Sequence, residues 1–228
     1  MMKATDYFDI SEFPFPELFH DGDEAWAVLA RIAPFLESRR RFEILGSVSP
    51  HAWLQGDRIA IGRGTVVEPG AMIKGAALIG DNCEIRQGAY IRGNAIIGDN
   101  CVVGHTTEVK NSVFLNGAKA GHFAYIGDSI LGKGVNLGAG TKLANFKVDT
   151  GDRGVRVEIQ GTRHDTGLRK MGAILGDGCE LGCNAVTMPG ALVGPGTLVY
   201  PNTTLRGFTP PRSVVKLRQT VEISPRVS

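Results

Sequence analysis

His122 is the residue in this chain whose chemistry stands out, because imidazole is the side chain best suited to take a proton near neutral pH. It lies in a stretch crowded with polar, reactive side chains: Glu108, Lys110, Tyr125, Asn136 and Asn145. Taken alone, a histidine on a polar edge also suits a structural role. Lys74, Arg92 and Lys110 recur at equal spacing and form a column of cations. Like charges at that spacing repel. The column is therefore either solvated or set against an anion such as a phosphate.

The elements that position these residues follow a period of six. Ile61, Val67, Ile73, Ile79, Ile85, Ile91, Ile97, Val103 and Val109 are all β-branched aliphatics. Four positions beyond each stop the residues are small, as at Thr65, Ala71, Ala77, Cys83, Ala89, Ala95, Cys101 and Thr107. Such a period fits neither an amphipathic helix nor an ordinary sandwich strand. It predicts an all-β fold, a parallel β-helix in which three hexapeptides close one triangular coil. The aliphatic side chains fill the prism and the small ones fit beside them. No repeat can bury its apolar face alone, so only the stack is stable.

The pattern returns at Leu131, Leu137 and Leu143, and again at Leu175, Leu181, Thr187, Val193, Val199 and Leu205. Between Val109 and Leu131 it slips, through Phe114, Ala120 and Ile126, with two steps of five. A slip re-aims side chains as a bulge does, and the polar residues gather there.

Residues 1–48 lack the period and are expected to form a helical and extended appendage, packed on the β-helix flank or on a neighbouring subunit. Asp21 or Asp23 is placed to cap a helix from Glu24 to about Leu36, which Pro34 should kink or end. The β-helix is expected over 49–209, with a polar insertion at 146–173 and a tail at 210–228; Val214–Val221 reads as a closing strand or extended tail.

The chain has 228 residues and a formal net charge of +2, which gives no electrostatic case for nucleic acid. It has no apolar run fit to span a membrane and no signal peptide. Four cysteines lack a zinc-site spacing, and Cys83 and Cys101 should stack on adjacent coils as core thiols in a reducing cytoplasm.

The stretch Glu108–Phe146, EVKNSVFLNGAKAGHFAYIGDSILGKGVNLGAGTKLANF, closely resembles the acetyltransferase domain of the bifunctional N-acetylglucosamine-1-phosphate uridyltransferase/glucosamine-1-phosphate N-acetyltransferase. The resemblance covers about residues 50–220, and it implies a left-handed β-helix. It puts the catalytic base on His122 and the sugar-phosphate contacts on Arg92, Lys110, Tyr125 and Asn136. Asn145 matches a further site asparagine, beside a Phe146 that replaces the family's tyrosine, and Lys170 aligns with a family lysine across the insertion. The acetyl-CoA contacts fall on Ala139, Cys183, Pro201 and Arg218. Cys183 replaces a serine and Pro201 an alanine, and proline offers no backbone N–H.

The implied reaction is acetyl transfer from acetyl-CoA to the nitrogen of an amino-sugar phosphate, first of all glucosamine-1-phosphate, without a metal. The implied assembly is a homotrimer with sites between subunits. A nucleotidyltransferase domain has no counterpart in this sequence, so a separate nucleotidyltransferase is a possible partner. Three other readings stand beside this one. The acceptor could be another, nucleotide-linked amino sugar. The fold could serve a zinc hydratase of the γ-carbonic-anhydrase kind, with His105, His122 and His164 as ligands. The chain could be a trimeric scaffold without activity.

Overall fold

The computed structural model describes residues 2–147 and 154–226; of the expected insertion, positions 148–153 lie outside the described residues. Short parallel strands stack into three flat faces of nine, eight and eight strands among the described residues. The first face climbs from Ser47–Val48 to Val214–Val215, the second from Trp53–Gln55 to Thr204–Leu205, and the third from Ile59–Ile61 to Phe208–Thr209. The predicted parallel β-helix is the fold of this chain.

The register explains the period. Ile61 pairs with Ile79, and Ile79 with Ile97, on the third face. Val67 pairs with Ile85 on the first face, and Ile73 with Ile91 on the second. All of these side chains are buried in one continuous core with Cys83, Cys101 and Cys179. The Cys101 amide hydrogen-bonds the Cys83 sulfur at 3.4 Å, as stacking on adjacent coils requires. Cys183 sits on a turn and is exposed.

One corner explains the recurring Gly-Asp-Asn. Asp81 accepts the Arg63 amide at 2.7 Å, Asp99 accepts the Asp81 amide at 2.7 Å, and Asn116 accepts the Asp99 amide at 3.0 Å. This ladder runs between the third and first faces. It needs glycine at Gly62 and Gly80, where a Cβ would lie 2.3 Å from the aspartate of the next coil.

The third face is apolar on both sides. Leu78, Ile96, Val113, Ile130, Ile174 and Leu192 point outward and are buried. The N-terminal segment covers them with Tyr7, Trp26, Leu29, Ile32 and Leu36, and a hairpin covers the rest with Val155, Val157 and Ile159. The appendage therefore packs on the flank of its own β-helix. Its helix α1 spans Ala27–Ser38, starting three residues later than expected. Trp26 occupies the N-cap position without a side-chain cap, because Asp23 instead receives the His20 amide at 2.7 Å and pairs with Arg31. Pro34 sits inside the helix and does not end it.

The insertion also has structure. Arg156–Ile159 and Thr162–Asp165 form an antiparallel hairpin, in which His164 lies opposite Val157. Beyond Val214–Val215 the tail to residue 226 has no regular structure.

Candidate functional site

The two five-residue steps fall on one corner, between the second and third faces. Phe114 pairs with both Ile97 and Leu131, so these coils are one residue short, and the shortening stacks on itself. The hairpin insertion leaves from the same corner in the next coil, because Leu131 pairs directly with Leu175. Lys110, Asn111 and Ser112 thus lie beside Gly127, Asp128 and Ser129.

Asp128 is the hub of this corner and is 5% exposed. It receives the Lys110 ammonium at 3.2 and 3.3 Å and the Asn111 amide at 2.9 Å. The Asn145 amide also donates to Asp128, and the Tyr125 hydroxyl meets the Asn145 carbonyl at 3.3 Å. Burial, then the charges of Glu108 and Asp128, push the Tyr125 hydroxyl above its ordinary pKa, although Asn145 and Arg92 pull the other way. Asn145 is itself buried, and the insertion closes over it through the Met171 amide, which donates to the Asn145 main-chain carbonyl at 3.1 Å.

The cation column is not bare. Arg92 pairs with Glu108 at 2.7 Å, and that contact, with the Glu108 charge, raises the pKa of Arg92. Lys110 pairs with Asp128, and the Lys74 ammonium lies 5.3 Å from the centre of the Tyr90 ring. A phosphate at this edge would share its cations with two carboxylates already in place.

His122 occupies a different corner, between the first and second faces. Its strand Lys119–His122 pairs with Val102–His105, and the pairing continues past the usual bend to set His105 beside His122. Gly104 and Gly121 allow this approach, since a Cβ on Gly104 would fall 1.7 Å from the Gly121 carbonyl oxygen. His105 Nδ1 lies 2.9 Å from the Gln87 carbonyl, and its ring meets Phe123 edge-on at 5.2 Å. His122 is exposed, with its ring 6.4 Å from that of Phe123.

Ala139, Cys183 and Pro201 climb the same corner above His122. Gly140 donates to the His122 carbonyl, Asn184 to the Ala139 carbonyl and Asn202 to the Cys183 carbonyl, at 3.0, 2.8 and 2.9 Å. Among the described residues the amides of Ala139 and Cys183 donate no hydrogen bond, whereas Pro201 has none to offer.

The residues singled out in the sequence therefore fall into separate groups. His122, Ala139, Cys183 and Pro201 share one corner. Arg92, Lys110, Tyr125 and Asn145 share the far edge of the second face. Asn136 is exposed on the first face, between Lys119 and Glu180. Lys170 lies on the insertion, its ammonium 5.7 Å from the Phe146 ring centre. Arg218 is in the irregular tail. Sequence reasoning missed Asp128. The signal available was the tripeptide Ile126-Gly127-Asp128, which repeats Ile79-Gly80-Asp81 and Ile97-Gly98-Asp99 but stands on another corner.

Comparison with known proteins finds matches to part of the chain. Residues 73–182 match the family model described as the GMPPB C-terminal domain. A bifunctional sugar-1-phosphate nucleotidylyltransferase/acetyltransferase from Sulfurisphaera tokodaii is 40% identical over 92 residues, which is 40% of this chain and 22% of that protein. The resemblance is to bifunctional proteins of the GlmU kind. The bifunctional protein GlmU of Methanocaldococcus jannaschii is likewise 40% identical over 92 residues, again 40% of this chain and 22% of that protein. The chain thus spans about a fifth of the length of these relatives. A UDP-N-acetylglucosamine acyltransferase structure from Campylobacter jejuni is 18% identical, with 74% of this chain and 69% of that one covered and a TM-score of 0.37. Among the described residues no helix is long and apolar enough to cross a membrane.

Proposed function

We propose that the protein is an acyltransferase that moves the acetyl group of acetyl-CoA to the amine of an amino-sugar phosphate. The observation that carries this reading is the corner on which an exposed His122 lies directly below the unused amides of Ala139 and Cys183. A thioester laid along that corner places its carbonyl oxygen within reach of an amide donor and its carbonyl carbon near the imidazole. A resemblance over 92 residues to a protein named as a bifunctional sugar-1-phosphate nucleotidylyltransferase/acetyltransferase supports the assignment.

In the reaction, the acceptor amine attacks the thioester carbonyl and a C–N bond forms. His122 takes the proton that the nitrogen sheds. The Ala139 amide steadies the oxyanion. The C–S bond then breaks, and the coenzyme A thiolate leaves with the proton that His122 returns. Tyr125, three residues along from His122, and Asn136 orient the sugar. Arg92 is the more accessible phosphate ligand, because its pair with Glu108 is exposed whereas the carboxylate on Lys110 is buried. Arg218 and Lys170, to which the resemblance gives the coenzyme A and acceptor contacts, lie on the tail and the insertion outside the coil. His122 and the Arg92–Lys110 edge lie at opposite margins of the second face, so a homotrimer that sets the first margin of one copy against the second margin of another completes the site.

Glucosamine-1-phosphate is the first acceptor to test. Thiol release from acetyl-CoA is measured with the parent and with His122→Ala. Turnover by the parent and a loss of about a hundredfold or more in the variant support the reading. Turnover that is unchanged in His122→Ala removes the base, and silence with every amino sugar, together with no coenzyme A binding, favours a trimeric scaffold.

A further inference from the structure

A second concavity lies away from His122 and its corner. The inserted hairpin stands off the upper coils and encloses a groove of about 590 Å³ with the corner between the second and third faces. That volume is within the range of small-molecule sites. Its lining is apolar at Phe146 and Met188 and cationic at Lys147, Arg156, Arg163 and Arg206, with Glu158 as the one carboxylate. Arg163 meets Glu158 at 3.4 Å and Arg156 meets Asp165 at 3.7 Å, and both pairs are exposed, hence weak and easily exchanged for a better anion. Arg206 makes no ion pair among the described residues, and Phe146 presents an aromatic ring that is 51% exposed.

A cationic groove with an exposed ring on its wall suits a ligand that is a polyanion at one end and a flat, stackable base at the other. By contrast, the Arg92–Lys110 edge is already matched by Glu108 and Asp128. We propose that the groove binds the nucleoside diphosphate of a nucleotide-linked amino sugar, with Phe146 against the base and Arg206 and Arg156 on the phosphates. The acceptor is then nucleotide-linked, and that step alone rests on the acyltransferase reading; the nucleotide site stands on the groove itself.

The test is calorimetric titration of the full chain, without acetyl-CoA, with UDP, GDP and inorganic pyrophosphate. The variants are Arg206→Ala and Phe146→Ala, with the exposed Arg58→Ala as a control outside the groove and outside the His122 site. Both groove side chains are exposed, so the variants should melt with the parent. Arg206→Ala is expected to weaken nucleotide binding about tenfold or more, and Phe146→Ala to weaken UDP or GDP by about tenfold while leaving pyrophosphate unchanged. Arg58→Ala should bind as the parent does. No binding of either nucleotide at millimolar concentration overturns the proposal. So does binding that both groove variants leave intact, or pyrophosphate binding as tight as UDP with no effect of Phe146→Ala. Nucleotide binding lost in Arg206→Ala, in a protein that turns over no amino sugar, upholds the groove and sinks the acyltransferase reading instead.

Discussion

Replacing Asp128 with alanine removes the acceptor on which the slipped corner is built. The Asn145 amide, buried at 9% exposure, loses a charge-assisted hydrogen bond and is left without a partner, at a cost of about 2–3 kcal/mol. The Asn111 amide is partly exposed and recovers some loss from water, so it contributes about 0.5–1 kcal/mol. The Lys110 side chain is 30% exposed, and losing its carboxylate costs a similar amount. Asp128→Ala should therefore destabilise by about 3–5 kcal/mol. At roughly 2–4 °C per kcal/mol for a chain of this size, the melting temperature falls by about 10 °C. Asp128→Asn keeps one acceptor oxygen and the shape, and should lose about half as much. Thermal unfolding followed by circular dichroism measures both. The reasoning fails if Asp128→Ala melts within about 1 °C of the parent, or if the two variants are indistinguishable. In an active enzyme the same variants should raise KM for the acceptor more than they lower kcat, because Asp128 positions Tyr125 and Lys110 and does not touch the reacting atoms.

Gly104→Ala should separate the strand Val102–His105 from Lys119–His122, since its methyl group has no room against the Gly121 carbonyl; lost activity with retained coil content by circular dichroism is expected, and full activity would show that the pairing is dispensable. Trp26→Ala should cost about 3–5 kcal/mol and release the N-terminal segment, with new tryptic cleavage at Arg39–Arg41 as the readout. Asp177 receives the amides of Asp9 and Lys133, each at 2.7 Å, yet burial raises its carboxyl above the ordinary 3.8 against those bonds. A raised acid binds its proton more tightly in the folded state, so this group favours folding below the ordinary carboxyl pKa and loses that contribution as pH climbs to its raised value. Urea midpoints across the acidic range should fall less steeply with pH in Asp177→Asn than in the parent, and superimposed slopes would remove Asp177 as the source.

The sequence by itself determined the β-helix, because an inward aliphatic at each sixth position has only one arrangement that buries every one of them in a single column. It also marked the two short steps near Val109 and Ile126, since a missing residue shifts every later stop. It singled out His122 and the polar stretch around it through residue chemistry and resemblance. Which corner each residue occupies was decided by the stacking of coils. Lys110 and Asp128 meet between adjacent coils and not across a turn, so the cation column, which the sequence left either solvated or set against an anion, is partly neutralised by the protein's own carboxylates. The covering of the third face was likewise a tertiary matter. In runs such as Ala77-Leu78-Ile79 and Ala95-Ile96-Ile97 the middle residue points outward, and it is buried in a second apolar cluster that the N-terminal segment and the hairpin complete. The groove beside Phe146 exists only because the hairpin folds back over coils that follow it in the chain, a juxtaposition of distant residues that no local pattern encodes.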